Sequence, residues 1–170
     1  MNEVSINKSI NLSEHFTLGE LCKTSAKTPD GNIPSHVHIE NLKRLCGWLE
    51  KLRERYNQRY VLRSVSPPKL GGEEDTEEPI VINSGYRSEA VNKSVGGVKG
   101  SNHLTGCAVD IRVAGIEQAM RYAVILMDYA DETKQDYDEI LIEKNRYGAI
   151  WLHFAVRPTD NRRKTMFLQK

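Results

Sequence analysis

His103 and Asp110 have six residues between them in the stretch Val81–Val113, VINSGYRSEAVNKSVGGVKGSNHLTGCAVDIRV, with Gly106 among the six and Ser101 two residues before the histidine. Imidazole and carboxylate are both ligand types that Zn²⁺ accepts, and the two converge on one ion if the histidine sits on a loop and the aspartate on the strand that follows. The glycines suit such a loop, because they tolerate positive φ and let backbone approach a ligand closely. The run Cys107–Val113 alternates small or polar with apolar residues and reads as that strand, with Asp110 on the face of Ala108 and Arg112. One such pair is common in caps and salt bridges, so metal binding requires a third ligand. Ala149–Val156, AIWLHFAV, reads as a second buried strand with His153 on the side of Trp151. A histidine within an apolar strand is more often a satisfied core residue, but here it offers the ligand that the first segment lacks.

The remaining elements would hold these segments in place. Leu42, Leu45, Cys46, Leu49, Leu52 and Tyr56 recur at three- and four-residue steps, which predicts an amphipathic core helix over Ser35–Asn57 capped by Ser35. His36 and His38 in its first turn are two residues apart and point in different directions, which argues against a shared ligand role. Thr17-Leu18-Gly19-Glu20 fits a capping box, with Phe16 and Leu21 as the hydrophobic staple of a short helix ending near Lys23. The polar stretch Thr24–Pro34 reads as a loop packed on the core. Ser88–Ser94 reads as a short helix, and Ile116–Tyr129, with Ala119, Met120, Ala123, Val124 and Met127 in step, as a second core helix. Strands are expected at Tyr60–Val65, Pro79–Asn83 and Asp138–Ile142, with Lys144–Gly148 turning the chain into the His153 strand. Between the first two strands SPPKLGGEEDTEE reads as a solvated loop without the ligand spacing of a calcium site.

With 170 residues the chain suits one domain, expected at 13–158 between a loose N-terminal arm at 1–12 and a basic, polar, dispensable C-terminal tail at 159–170. Lys plus Arg number 24 against 23 Asp plus Glu, a formal charge of +1, so no global field favours nucleic acid or an anionic membrane. No apolar run reaches the length of a membrane span, and the N-terminus lacks the apolar core of a signal peptide, so the chain as written is expected to start in the cytoplasm. Cys22, Cys46 and Cys107 are an odd set without C-x-x-C spacing and read as small buried residues rather than a disulfide framework or a thiolate metal site. The fold class expected is α+β: a small, mainly antiparallel sheet with helices packed on one face.

SNHLTGCAVD resembles the Ser-x-His-x-x-Gly-x-Ala-x-Asp motif, and WLH the Trp-x-His motif, of the zinc D,D-peptidases, the D-alanyl-D-alanine carboxypeptidases and related cell-wall endopeptidases that share the hedgehog-like fold. SGYRS followed by NKSVGG resembles the segment that precedes the first motif, and the likeness runs from about Phe16 to about Val156. It implies a zinc metallopeptidase acting on peptidoglycan stem peptides, with one Zn²⁺ per chain held by His103, Asp110 and His153 and a fourth position left for water. It places Arg87 on the family's substrate-carboxylate arginine, a role that suits a guanidinium held at a strand end. It also implies a hydrogen bond from Ser101 to substrate backbone.

Amide cleavage further needs a carboxylate beside the water. Some relatives carry a Glu three residues before the last histidine, where this chain has Ile150. The more similar subset has an acid at the end of the preceding strand, and LIEKNRYGAIWLH puts Glu143 there, with Glu139 on the same strand face as the second candidate. A monomer is expected. Two other readings stand beside the carboxypeptidase: a phage-type peptidoglycan endopeptidase released through a holin, and a non-catalytic, zinc-containing cell-wall-binding module.

Overall fold

The structure, a computed structural model, describes residues 9–61 and 77–170. In the first of these segments the chain makes its caps before its core. Thr17 and Glu20 form the expected capping box at the start of α1 (Leu18–Leu21), which buries Leu18 and Leu21. Ser35 caps α2 (His36–Tyr56), and its box is closed by a histidine: the Ser35 amide donates to His38 Nδ1 at 3.2 Å while the His38 amide donates to Ser35 Oγ at 3.4 Å. The stripe Leu42, Leu45, Cys46, Leu49 and Leu52 on α2 is fully buried. It meets α4 (Ile116–Thr133), whose Tyr122, Ile125 and Leu126 are equally enclosed. All three cysteines are buried, and burial pushes the Cys46 thiol up to about 12, as fits a packing residue.

Among the described residues five strands form one sheet in the order β1-β2-β4-β3-β5: β1 (Ile82–Ser84), β2 (Ala108–Arg112), β4 (Ile150–Ala155), β3 (Glu139–Lys144) and β5 (Lys164–Gln169). The first three pairings are antiparallel and the last, β3 with β5, is parallel, so the α+β sheet is mixed. Strand alternation sorts its side chains onto two faces. Val109, Ile111, Ile140, Leu152 and Phe154 point into the core under α2 and α4, where Trp48 packs 5.4 Å from Phe154. The other face carries Asp110, Glu139, Leu141, Glu143 and His153. Register places Asp110 and Leu141 directly opposite His153 on its two sides.

Three expectations meet a different structure. Segment 159–170, read as a tail, carries β5; its apolar residues run together at Met166–Leu168 and stay largely exposed at the sheet edge, so it lacks the alternation of a half-buried strand. The strand expected at Tyr60–Val65 begins instead with a π-helical turn, Asn57–Val61, that continues α2; Tyr60 packs against Tyr56 and under the Arg121 guanidinium, so its apolar surface serves the helix. Residues 62–65, and most of the acidic loop after them, lie outside the described residues. Within the expected N-terminal arm, residues 10 and 12 are already tied down, because Leu18 N donates to Ile10 O and Leu12 N to Phe16 O, each at 2.8 Å.

The first two turns of α2 also grip the loop that carries His103. Asn41 Nδ2 donates to Thr105 O at 2.8 Å, and the His38 ring stacks on Tyr86 at 4.8 Å. Gly106 closes the 3₁₀ turn Asn102–Thr105 at φ +71°, and a Cβ there would lie 2.7 Å from the His38 carbonyl oxygen. Gly106→Ala should therefore destabilise the protein by about 1–2 kcal/mol from the left-handed backbone alone, with a further cost for displacing α2. Urea denaturation measures this, and an unchanged midpoint would show that the turn relaxes freely.

Candidate metal centre

His103 comes from the 3₁₀ turn Asn102–Thr105, Asp110 from the middle of β2, and His153 from the middle of β4. Their ligand atoms all lie within 4.8 Å of one another, and all three residues are buried. His103 Nε2 is 3.3 Å from Asp110 Oδ1, and His153 Nδ1 is 2.9 Å from the same oxygen. Sequence reading thus named three residues that the fold brings together from positions up to fifty residues apart.

Each of the three also has its remaining polar atom engaged behind the site. His103 Nδ1 lies 2.7 Å from Gly85 O, a carbonyl that can only accept, so Nδ1 carries the proton and Nε2 is the lone-pair nitrogen. Arg87 Nη2 donates to Asp110 Oδ2 at 2.5 Å, leaving Oδ1 inward. His153 Nε2 lies 3.4 Å from Glu139 Oε2, leaving Nδ1 inward. The atoms left facing one another are therefore Nε2, Oδ1 and Nδ1, a two-histidine, one-carboxylate donor set that fits Zn²⁺. Gly85 has its own reason to be glycine: a Cβ there would lie 2.3 Å from Leu21 O, so α1 packs directly against the backbone that supports His103.

The other expected site residues lie around this centre. Arg87, at the end of the β1 turn, also donates from Nε to Ser84 Oγ at 2.8 Å, and its backbone amide bonds to His103 O at 3.0 Å. Ser101 caps the 3₁₀ turn, its Oγ accepting from the His103 amide at 3.3 Å. Glu143 is buried on the site face of β3, and its Oε2 accepts from Lys170 Nζ, the residue after β5, at 2.6 Å. Glu139, two residues before Leu141 on the same face of β3, has its Oε2 3.4 Å from His153 Nε2. Asn102, Asn32, Arg162 and Lys170 had no signal in the sequence. Asn32 is the least conspicuous of them: buried in the 24–34 loop, it donates to Cys22 O and Tyr86 O and accepts from the Ser88 amide, tying that loop to the Arg87 segment.

Charge and burial compete at every member. Burial works to raise the Asp110 pKa, but the His103 and His153 imidazoles outweigh it and hold the carboxyl far below the usual carboxylate range. Burial likewise opposes a charged His153, yet its hydrogen bonds to Asp110 and Glu139 push it up to about 9. The His153 contact lowers Glu139 to about 2 against the opposing effect of burial. In chelator-treated protein these shifts have opposite pH signatures. Because the folded His153 lies above its ordinary 6.5, its stabilisation is complete below pH 6.5 and lost as pH rises through about 9. Because Glu139 lies below its ordinary 4.5, its stabilisation is present above pH 4.5 and lost as pH falls towards 2. The Tm of chelated protein should fall between pH 6.5 and 9, and His153→Gln should flatten that fall. Equal slopes for the two proteins would mean that His153 titrates as it does in an unfolded chain.

A family model described as Peptidase M15 matches residues 72–135. That is less than half the chain, and it contains Arg87, Ser101, His103 and Asp110 but ends before β3 and β4, so His153, Glu139 and Glu143 join the site on geometry alone. No curated protein matches the chain. Over residues 72–135 the chain is thus similar to the Peptidase M15 family, and His103, Asp110 and His153 form a possible metal site.

Proposed function

We propose that the chain is a zinc metallopeptidase that hydrolyses an amide bond in peptidoglycan stem peptides, in the manner of a D-Ala-D-Ala carboxypeptidase. The observation that carries the reading is the convergence of His103, Asp110 and His153, each with its outer polar atom held, on a chain whose first motif lies within the Peptidase M15 match. The proposal includes a hedgehog-like fold, supported by a sheet that gives one face to the helices and the other to the metal centre.

Zn²⁺ in such a centre polarises the scissile carbonyl and supplies a water acidic enough to attack near neutral pH. The chain's own groups do the rest. Glu143 takes the proton of the attacking water and passes it to the leaving amine. Its support is position: a buried carboxylate on the site face, two residues along β3 from the Leu141 that pairs with His153. Its Lys170 partner is itself 58% exposed at the side chain, so the lysine can swing into solvent and release the carboxylate. Arg87 spends two of a guanidinium's five N–H donors on Ser84 and Asp110 and turns the others to a substrate carboxylate, a free C-terminus or a D-Glu side chain. Ser101 uses its oxygen lone pair on the cap, which leaves its hydroxyl proton for substrate backbone.

Purified protein should carry about one zinc per chain by metal analysis, and His103→Ala or His153→Ala should remove it; full zinc in either variant rejects that ligand. Glu143→Gln should keep zinc and fold while lowering kcat by roughly 10²-fold or more, the scale of a lost general base. Mass spectrometry of digested sacculi reads the bond: free D-Ala marks a carboxypeptidase, and new peptide ends mark an endopeptidase of the endolysin type. Zinc-loaded protein that binds sacculi and releases no new amino groups would instead be a binding module.

A further inference from the structure

Glu139 stands on the opposite side of the His153 ring from Asp110. Its Oε2 is 3.4 Å from His153 Nε2, while Asp110 Oδ1 is 2.9 Å from Nδ1, so the imidazole is held between two carboxylates. Glu139 is itself fixed at both oxygens. Asn102 Nδ2 donates to Oε2 at 3.0 Å, Arg162 Nη2 lies 2.9 Å from Oε1, and Lys164 Nζ lies 3.5 Å from Oε1. The same clamp continues one residue back along the chain. Asp138, with no exposed surface, accepts from Arg162 Nε at 2.8 Å and Nη2 at 2.7 Å, and from Asn102 Nδ2 at 2.7 Å. Asn102 is the residue before His103, so one polar network reaches both histidines, and its cations come from the segment leading into β5 and from the first residue of that strand.

We propose that Glu139 is a positioning residue of the metal centre: it accepts the His153 Nε2 proton, which fixes the ring with Nδ1 as the metal-facing nitrogen, and Arg162 clamps it for that task. The proposal rests on the zinc reading given above. A carboxylate on the remote nitrogen of a metal-bound imidazole sets its tautomer and orientation and raises its basicity. A general base has the opposite requirement, a lone pair open to the water's proton, and Glu139 has both oxygens committed to Asn102, Arg162, Lys164 and His153. The assignment separates the two acids on the site face of β3: Glu139 orients a ligand, and Glu143 is left for proton transfer. It also makes the segment after Pro158 part of the metal site.

The test is zinc affinity, measured by competition with a chromophoric chelator, for wild type, Glu139→Ala, Glu139→Gln and Arg162→Ala, with the visible spectrum of the Co²⁺-substituted proteins as a second readout. Glu139→Ala should bind zinc about 10–100-fold more weakly and shift the Co²⁺ bands, since the ring loses its orienting partner. Glu139→Gln keeps an acceptor for the Nε2 proton and should recover part of that loss, which a purely structural role would not produce. Arg162→Ala should weaken zinc less than Glu139→Ala, and it reads the same clamp even if the alanine at 139 fails to fold. Zinc affinity and Co²⁺ spectra within twofold of wild type in all three variants would overturn the proposal. So would Glu139→Gln protein with wild-type zinc affinity and no turnover, because that would make Glu139 the base. Wild-type protein that holds no zinc would overturn the metal reading itself, whereas the two preceding outcomes leave that reading intact.

Discussion

A carboxylate withdrawn from water survives only if charged or hydrogen-bonding partners take the place of its solvent. Asp110 is such a carboxylate, and its partners are drawn from all round the site. Arg87 arrives from the turn after β1, His103 from the 3₁₀ turn and His153 from β4, and together they take the place of solvent around the carboxylate. The sheet register that sets Asp110 opposite His153 and Ser84 is thus also an electrostatic requirement. A slip of one residue in β2 would turn Asp110 into the apolar core and bring Val109 or Ile111 out to the site.

The scaffold around that carboxylate is rigid where rigidity serves the site. α2 contributes its apolar stripe to the core and its first two turns to the His103 loop, through Asn41, His38 and the close approach to Gly106. α1 presses on Gly85, whose carbonyl orients His103. Site and core therefore share supports: helices that bury apolar side chains in the core also hold the backbone from which the candidate ligands project. A metal held there would add its binding energy to a fold already shaped to receive it.

The polar side of the sheet divides by function of position. Residues nearest β2 bear on the ligand carboxylate, and those on β3 bear on His153. The edge strand β5 and the segment before it bring Arg162, Lys164 and Lys170 to the two acids of β3. These cations balance carboxylates that would otherwise repel one another across a buried face.

How much of this was readable in the chain depends on whether the signal was local. The caps at Thr17 and Ser35, the stripe of α2, the alternation through Asp110 and the apolar run around His153 are all written in neighbouring residues, so sequence alone determined the main helices, the site strands and the three candidate ligands. Glu139 and Glu143 could be named as acids on one strand face, because period-two geometry guarantees that much. Which of them touches His153 depends on the register of β3 against β4 and on where Asn102 and Arg162 fall, and those are tertiary facts. Arg87 was expected, on the resemblance alone, to grip a substrate carboxylate, and its contact with Asp110 is a product of the fold. β5 was hidden for a related reason: an edge strand with one face in water and a parallel partner twenty-five residues earlier shows no apolar alternation, and pairing alone makes it a strand.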